Sequence, residues 1–302
     1  MKPLVNPLKW TYLGCPLAGA NQNHPAFNIA WENCEKLADA VRQLDCPEAQ
    51  MALLRQCLGA CKIQHINSTC PASETDSLAK KVARGLRDGL GNVIDMEITD
   101  EAWEEATLPI SQGGLGLQDP TITNAEAHFV TVTSLPDDFA EGWGAAHKEM
   151  VDKAAVEVGA RRGMTGEEVK AWQEKMEGMG IKPLPELTKK HFAKAKAERL
   201  AKATPVEKRR LNSIQAPHAM AWTLGPGYGC PLSNTEYRAG LRWALGVPIQ
   251  SEPTRCPCGK LADVQGRHYA TCRVLDQRTR RHNQWRDVMA DVVRNAGMDR
   301  GG

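Results

Sequence analysis

The sequence predicts a mainly α-helical protein ending in a small metal-stapled module. Three observations carry this. Apolar residues recur at helical spacing through the first third of the chain, and a long middle segment is built from Ala, Glu, Lys and Arg. Near the carboxyl end, CPCGKLADVQGRHYATC (256–272) gathers three cysteines and a histidine into seventeen positions.

Taken in order, WTYLGCPLAG (10–19) reads as a short strand and turn. Residues 26–45 place Phe27, Ala30, Trp31, Cys34, Leu37, Ala38, Val41 and Leu44 on one helical face. PEAQMALLRQCLGACKI (47–63) reads as a second helix, with Pro47 in its first turn and Met51, Leu54, Leu58 and Cys61 on one stripe. Cys34, Cys57 and Cys61 lie on these stripes and read as small core residues. A third helix covers 75–90. The six carboxylates of DMEITDEAWEE (95–105) then read as a solvated helix start, where acids suit the dipole. LPISQGGLGLQDP (108–120) lacks both the Gly-Lys-Ser/Thr of a phosphate loop and the spaced glycines of a dinucleotide site. It reads as a tight turn with glycines at positive φ.

From about 138 to 212 large apolar residues become rare. Thr165 and Glu168 form a capping box opening a helix to Met176. Between Leu187 and Asn212 nine Lys/Arg face two Glu, the pattern of a charged helical linker, either a solvated face or a nucleic-acid contact. Residues 217–231 form a loop. Ser233 and Glu236 make a second capping box, and Gly246 followed by Pro248 ends the helix it opens. Tyr237, Leu241 and Leu245 are its buried stripe, with Arg238 and Arg242 on another face. A closing helix is expected over about 279–296.

No run of 18 apolar residues occurs in the 302, so no membrane span is expected. The start, MKPLVNPLKWTYLG, lacks the apolar core of a signal peptide. An intracellular location follows, nuclear in a eukaryotic cell, where cysteines serve as thiols or metal ligands rather than disulfides.

Cys256, Cys258, His268 and Cys272 have the spacing C-x-C-x9-H-x3-C. Thiolate and imidazole are zinc's preferred tetrahedral ligands, and His and Cys four apart in a helix can face one point. Cys-x-Cys is tighter than usual spacings, which leaves His282 as a spare ligand. Two readings compete: buried thiols with unrelated neighbours, and a catalytic Cys–His pair. The stretch is poor in large apolar residues and rich in Gly, Pro, Asp and Arg, so a structural zinc ion would supply the staple its own core lacks. The surroundings are basic: Arg255, Lys260, Arg267, Arg273, Arg278, Arg280, Arg281 and Arg286 against Asp263 and Asp276. Arginine forks grip phosphate well, and with Arg238 and Arg242 they form a candidate surface for RNA or DNA.

The order of segments resembles the reverse transcriptase polyproteins of non-LTR retrotransposons. WTYLGCPLAG is similar to the "LG" stretch past the polymerase palm. LLRQCLGACKIQHINSTCP followed by ATLPISQGGLGLQDP and a small-residue helix (124–134) is similar to the thumb region. LSNTEYRAGLRWALGVPI, CPCG, GRHYATC and RHN resemble the stretch holding the family's cysteine–histidine knuckle. The likeness covers roughly 10–134 and 211–297. It implies a thumb-like helical domain (1–135), a charged helical linker (136–212) and a basic zinc-knuckle module (213–302), with Cys256, Cys258, His268 and Cys272 as the ligands.

The family is an RNA-directed DNA polymerase, yet the palm motif with paired metal-binding aspartates is missing. The sole Asp-Asp, Asp137-Asp138, follows Leu135-Pro136 and reads as a polar loop. The nuclease carboxylates would fall beyond Gly302. The expectation is therefore a non-catalytic, nucleic-acid-binding fragment that could associate with a chain carrying the polymerase palm or the endonuclease. A hydrolase using the cluster or the His65–Cys70 neighbourhood, and a zinc-binding adaptor, are the alternatives.

Overall fold

The structure is a computed structural model describing residues 11–12, 15–16, 24–135, 137–179, 183–217, 219–224, 232–272, 274 and 283. It is mainly helical, as the sequence predicts. The chain divides into two compact units, Met1–Arg238 and Ala239–Gly302. No helix among the described residues is long and apolar enough to cross a membrane.

The first unit opens with a two-residue ladder, β1 (Thr11–Tyr12) against β2 (Cys15–Pro16), antiparallel with Tyr12 opposite Cys15. Helices α1 (Pro25–Arg42), α2 (Pro47–Cys57), α3 (Ala60–Thr69) and α4 (Ala72–Ile94) follow. α4 is the organising element, packed against α1, α2 and α3. Leu78, Ala79, Val82, Leu86, Leu90, Val93 and Ile94 fill its inner stripe at the spacing of a helix buried along one side. Gln50 ties α2 to the end of α1, its amide donating to the carbonyls of Val41 and Leu44 at 3.2 and 2.9 Å.

The helix expected over 47–63 is two helices. The break falls at Leu58–Gly59, where Gly59 takes φ +96°. A Cβ there would lie 2.5 Å from the carbonyl oxygen of Gln118, so the glycine permits close approach of the 113–118 loop as well as the turn. The break also redirects the cysteine stripe. Cys34 is buried and Cys57 half-buried, but Cys61 is exposed, because α3 starts a new helical phase.

α5 (Asp100–Thr107) is capped by the Thr99 hydroxyl, with Asp100 and Glu101 in its first turn, as the acidic stretch suggested. Glu105 departs from that reading. It is 3% exposed, and its carboxylate accepts from Arg199 at 3.1 Å and from Arg210 at 2.8 and 2.9 Å. The glycine loop then turns with Gly113 at φ +89° and Gly116 at φ +69°, placing Leu115 and Leu117 in the core. The amides of both leucines donate to the carbonyl of Ala106.

α6 (Pro120–Thr133) packs on α3 and α4 and buries polar side chains as well as Phe129. Asn124 donates to Asp76 at 2.8 Å, Glu126 accepts from Arg162 at 2.6 Å, and His128 Nδ1 lies 3.1 Å from the carbonyl of Ser68. Residues 136–212 form α7 (Asp137–Arg162), α8 (Gly166–Gly178), α9 (Pro183–Lys202) and α10 (Pro205–Ile214). Asp137 and Asp138 open α7 instead of lying in a loop. Ala154, Ala155, Val158 and Val169 join Phe129 and Val132 in one apolar cluster, with α7 packed against α6 and α8 against α7. The Thr165–Glu168 capping box is present at the start of α8.

α11 (Asn234–Ala244) begins at the Ser233–Glu236 capping box, and the division between units falls within it. On the side of the first unit, Tyr237 is buried edge-on to Trp222. The second unit continues with Leu241, Ala244, Leu245 and Val247 buried, then β3 (Thr254–Arg255), β4 (Leu261–Ala262) and the short α12 (Arg267–Thr271). The closing helix expected over 279–296 lies outside the described residues, Asn283 apart.

Candidate metal centre

β3 and β4 pair antiparallel, Thr254 opposite Ala262 and Arg255 opposite Leu261, and the chain between them makes a tight turn. The Cys256 amide donates to the Lys260 carbonyl at 2.9 Å and the Gly259 amide to the Cys256 carbonyl at 2.8 Å. Gly259 at φ +84° closes this turn, a conformation that favours glycine. The result holds Cys256 and Cys258 on the hairpin tip.

The other two residues are set by Asp263. Its carbonyl accepts the Gly266 amide and its carboxylate accepts the Arg267 amide at 2.8 Å, which starts α12 at Arg267. His268 therefore stands in the first turn of α12, and Cys272 follows its last residue. Gln250 adds a brace, its side-chain amide donating to the Asp263 carbonyl at 3.0 Å. The sequence reading counted Asp263 only as an acid among the basic residues and did not single out Gln250. The Asp-x-x-Gly-Arg order before the helix was the available signal for Asp263.

The four donors converge. Cys256 Sγ lies 3.5 Å from Cys272 Sγ, and Cys258 Sγ lies 3.1 Å from His268 Nε2. All four donor atoms fall within 4.8 Å of one another. A tetrahedral zinc ion, with bonds of about 2.3 Å to sulfur and 2.0 Å to nitrogen, implies donor–donor edges of about 3.5–3.8 Å. The four residues could therefore hold a metal ion. Cys256 and Cys272 are buried, and Cys258 and His268 half-buried. Burial holds the Cys256 thiol above its ordinary pKa, and the neighbouring thiols add to that. A bound cation reverses this, because it stabilises thiolates directly.

The Cys258–His268 approach alone would also suit a nucleophile and its base. Two further thiols lie within 4.8 Å of the same donor atoms, so the four residues together could hold a metal ion. The His65–Cys70 neighbourhood is unlike it: His65 is exposed on α3 and Cys70 buried at its end, 3.8 Å from the Thr69 hydroxyl.

The basic residues divide into groups. Arg255, Lys260 and Arg267 are exposed on the hairpin and α12, Arg267 lying 3.7 Å from Asp263. Arg242 donates to the Ile249 carbonyl at 3.2 Å within the second unit. Arg238 donates to the Val93 carbonyl at 3.0 Å within the first unit, so it also braces α4. Arg273, Arg278, Arg280, Arg281, His282 and Arg286 lie outside the described residues. No protein-family model, curated protein or solved structure matches this chain.

Proposed function

We propose that residues 249–272 form a structural zinc module whose basic surface binds the phosphate backbone of RNA or DNA. The chain acts as a non-catalytic nucleic-acid-binding part of a reverse transcriptase-like protein. One observation carries this reading: two thiols on a hairpin tip meet an imidazole and a third thiol from a short helix, within 4.8 Å. Three sulfurs and one nitrogen select zinc over harder cations, which prefer oxygen. Closure of the ligand set makes the ion's role structural.

The exposed Arg255, Lys260 and Arg267 supply the anion-facing charge, which the ion holds in place by holding the backbone beneath it. The test measures metal per chain and binding to nucleic acid across a salt series. One zinc per chain is expected, lost in His268→Ala, together with affinity that falls by about 0.9 log units per log unit of salt for each duplex phosphate neutralised. Metal-free protein with residues 249–272 still protected from hydrogen exchange would refute the zinc reading. Salt-independent binding would refute the backbone reading.

A further inference from the structure

Two cavities of the first unit meet beside α9. One, about 540 Å³, lies among α5, the start of α6 and α9, and the other, about 410 Å³, lies against the glycine loop. Thr107, Asp119, Ile122 and Phe192 line both, so the two adjoin at these side chains. Asp119 is the only charged residue lining the smaller one. The larger adds Trp103 and a rim of exposed Glu101, Glu104 and Glu198. Of its remaining charges, Asp100 is held by Arg87 at 2.7 Å, and Arg199 by Glu105 and Glu207 at 3.1 and 2.7 Å. That leaves Lys202 against the three rim acids. His191 adds no charge at neutral pH, because burial and the nearby Arg162 and Lys194 hold its pKa below the ordinary 6.5.

Three carboxylates are buried among the described residues. Glu105 receives Arg199 and Arg210, and Glu126 receives Arg162. Asp119, 7% exposed at the N-cap of α6, receives neutral donors instead: the Thr121 amide and hydroxyl at 2.8 and 2.7 Å and the Trp103 indole N–H at 3.0 Å. The start of α6 offsets about half a unit of its charge. A carboxylate desolvated this far ordinarily also has a cation beside it. Asp119 is the one of the three that lines these cavities.

We propose that this cleft binds an organic cation, an ammonium group on an apolar body, with the charge at Asp119 and the body against Ile122 and Phe192. The site is separate from the metal module and does not depend on it. Cavities of about 300–1,000 Å³ with apolar walls and a few placed polar groups suit ligands of this size. Trp103 and Phe192 add aromatic rings, whose faces attract cations. The rim acids draw in cations and repel anions. A metal ion fits less well, because it needs several donors converging on one point. Among the described residues, the cysteine–histidine cluster is the group that offers this. An ammonium group needs one charged acceptor and tolerates apolar neighbours on its carbon side.

The experiment titrates the full chain with benzylammonium, benzyl alcohol and benzoate, which share a ring and differ in charge. Affinity is read by calorimetry. The site is read from the Trp103 indole N–H resonance, identified among the eight tryptophans by its loss in Trp103→Phe. Benzylammonium should shift that resonance saturably, bind about tenfold or more tighter than the alcohol, and leave benzoate without measurable binding. Asp119→Asn keeps an acceptor for Thr121 and Trp103 and remains a good N-cap, yet removes the charge. It should weaken benzylammonium about tenfold or more and leave the alcohol unchanged. Glu101→Gln with Glu104→Gln, both exposed, should weaken it about two- to fivefold and flatten its salt dependence. A capped Ala-Lys-Ala peptide run in parallel separates the sources of the cation. Tighter binding than benzylammonium assigns it to a lysine side chain of a partner, weaker binding to a free amine, and both uphold the ammonium chemistry. The proposal is overturned if the alcohol binds as tightly as benzylammonium, if Asp119→Asn binds it unchanged, or if the Trp103 resonance does not move. Should Asp119→Asn fail to fold, the comparison of cation with alcohol on the unaltered chain still decides.

Discussion

Within the first unit, α4 alone buries Leu78, Val82, Leu86, Leu90, Val93 and Ile94, and its neighbours add Met51, Leu54, Ile63, Ile66 and Phe129. Across 249–272 of the second unit, the described residues that are buried are Cys256, Ala262 and Cys272. The first region has a core of ordinary composition and can be held by loss of apolar surface from water. The second has one small apolar residue and two thiols. What stands in place of a core there is the point on which four donor atoms converge. The contrast teaches that the two regions should respond to different insults: the first to loss of packing or buried charge, the second, on the function proposed, to loss of the ion its four donors could hold.

The sharpest way to break this comparison is to strip the metal. Chelation should abolish hydrogen-exchange protection at Cys256, Gly259 and Tyr269 while leaving the α4 amides protected. Zinc binding in small modules is worth about 10–16 kcal/mol, far more than the contacts around it can replace. Equal loss in both regions, or loss in neither, would contradict the division.

The next largest effect reverses the selectivity. Glu105→Ala leaves Arg210 and Arg199 without their buried carboxylate, and should destabilise the first unit by about 3–5 kcal/mol in denaturant unfolding. Zinc stoichiometry should not change. The smallest concerns pH. Burial holds His128 below its ordinary pKa of 6.5, although Ser68 and Glu157 favour its charged form. The unfolded chain therefore takes up the proton first. Stability is full above pH 6.5 and declines as pH falls below it towards the depressed folded value. Thermal unfolding of His128→Gln should show a weaker decline over that interval, without altering metal content.

Much of the helical architecture was legible because it is written at short range. The Thr165–Glu168 and Ser233–Glu236 capping boxes each join groups three residues apart, and both are present. The apolar stripe of α1 and the break after Gly246 are equally local. The cysteine–histidine cluster was legible for another reason: thiols and imidazole in a stretch poor in apolar residues have few other ways to lower its free energy. Glu105 was not legible. In sequence it is one of six acids on a helix start, and its burial depends on Arg199 and Arg210 arriving from 94 and 105 residues away. Cys61 was misplaced for a related reason. The stripe it seemed to continue ends where Gly59 admits the Gln118 carbonyl from a distant loop.

The sequence by itself determined where the capped helices α8 and α11 begin, which faces of α1 and α2 are apolar, and which four residues could share a metal ion. These follow from backbone hydrogen bonding, side-chain periodicity and ligand chemistry, which act over a few residues. Only the tertiary structure decided that Glu105 is buried between two arginines and that one helix becomes two at Gly59. Each of those is set by which distant group occupies the space beside a residue, and no local pattern carries that information.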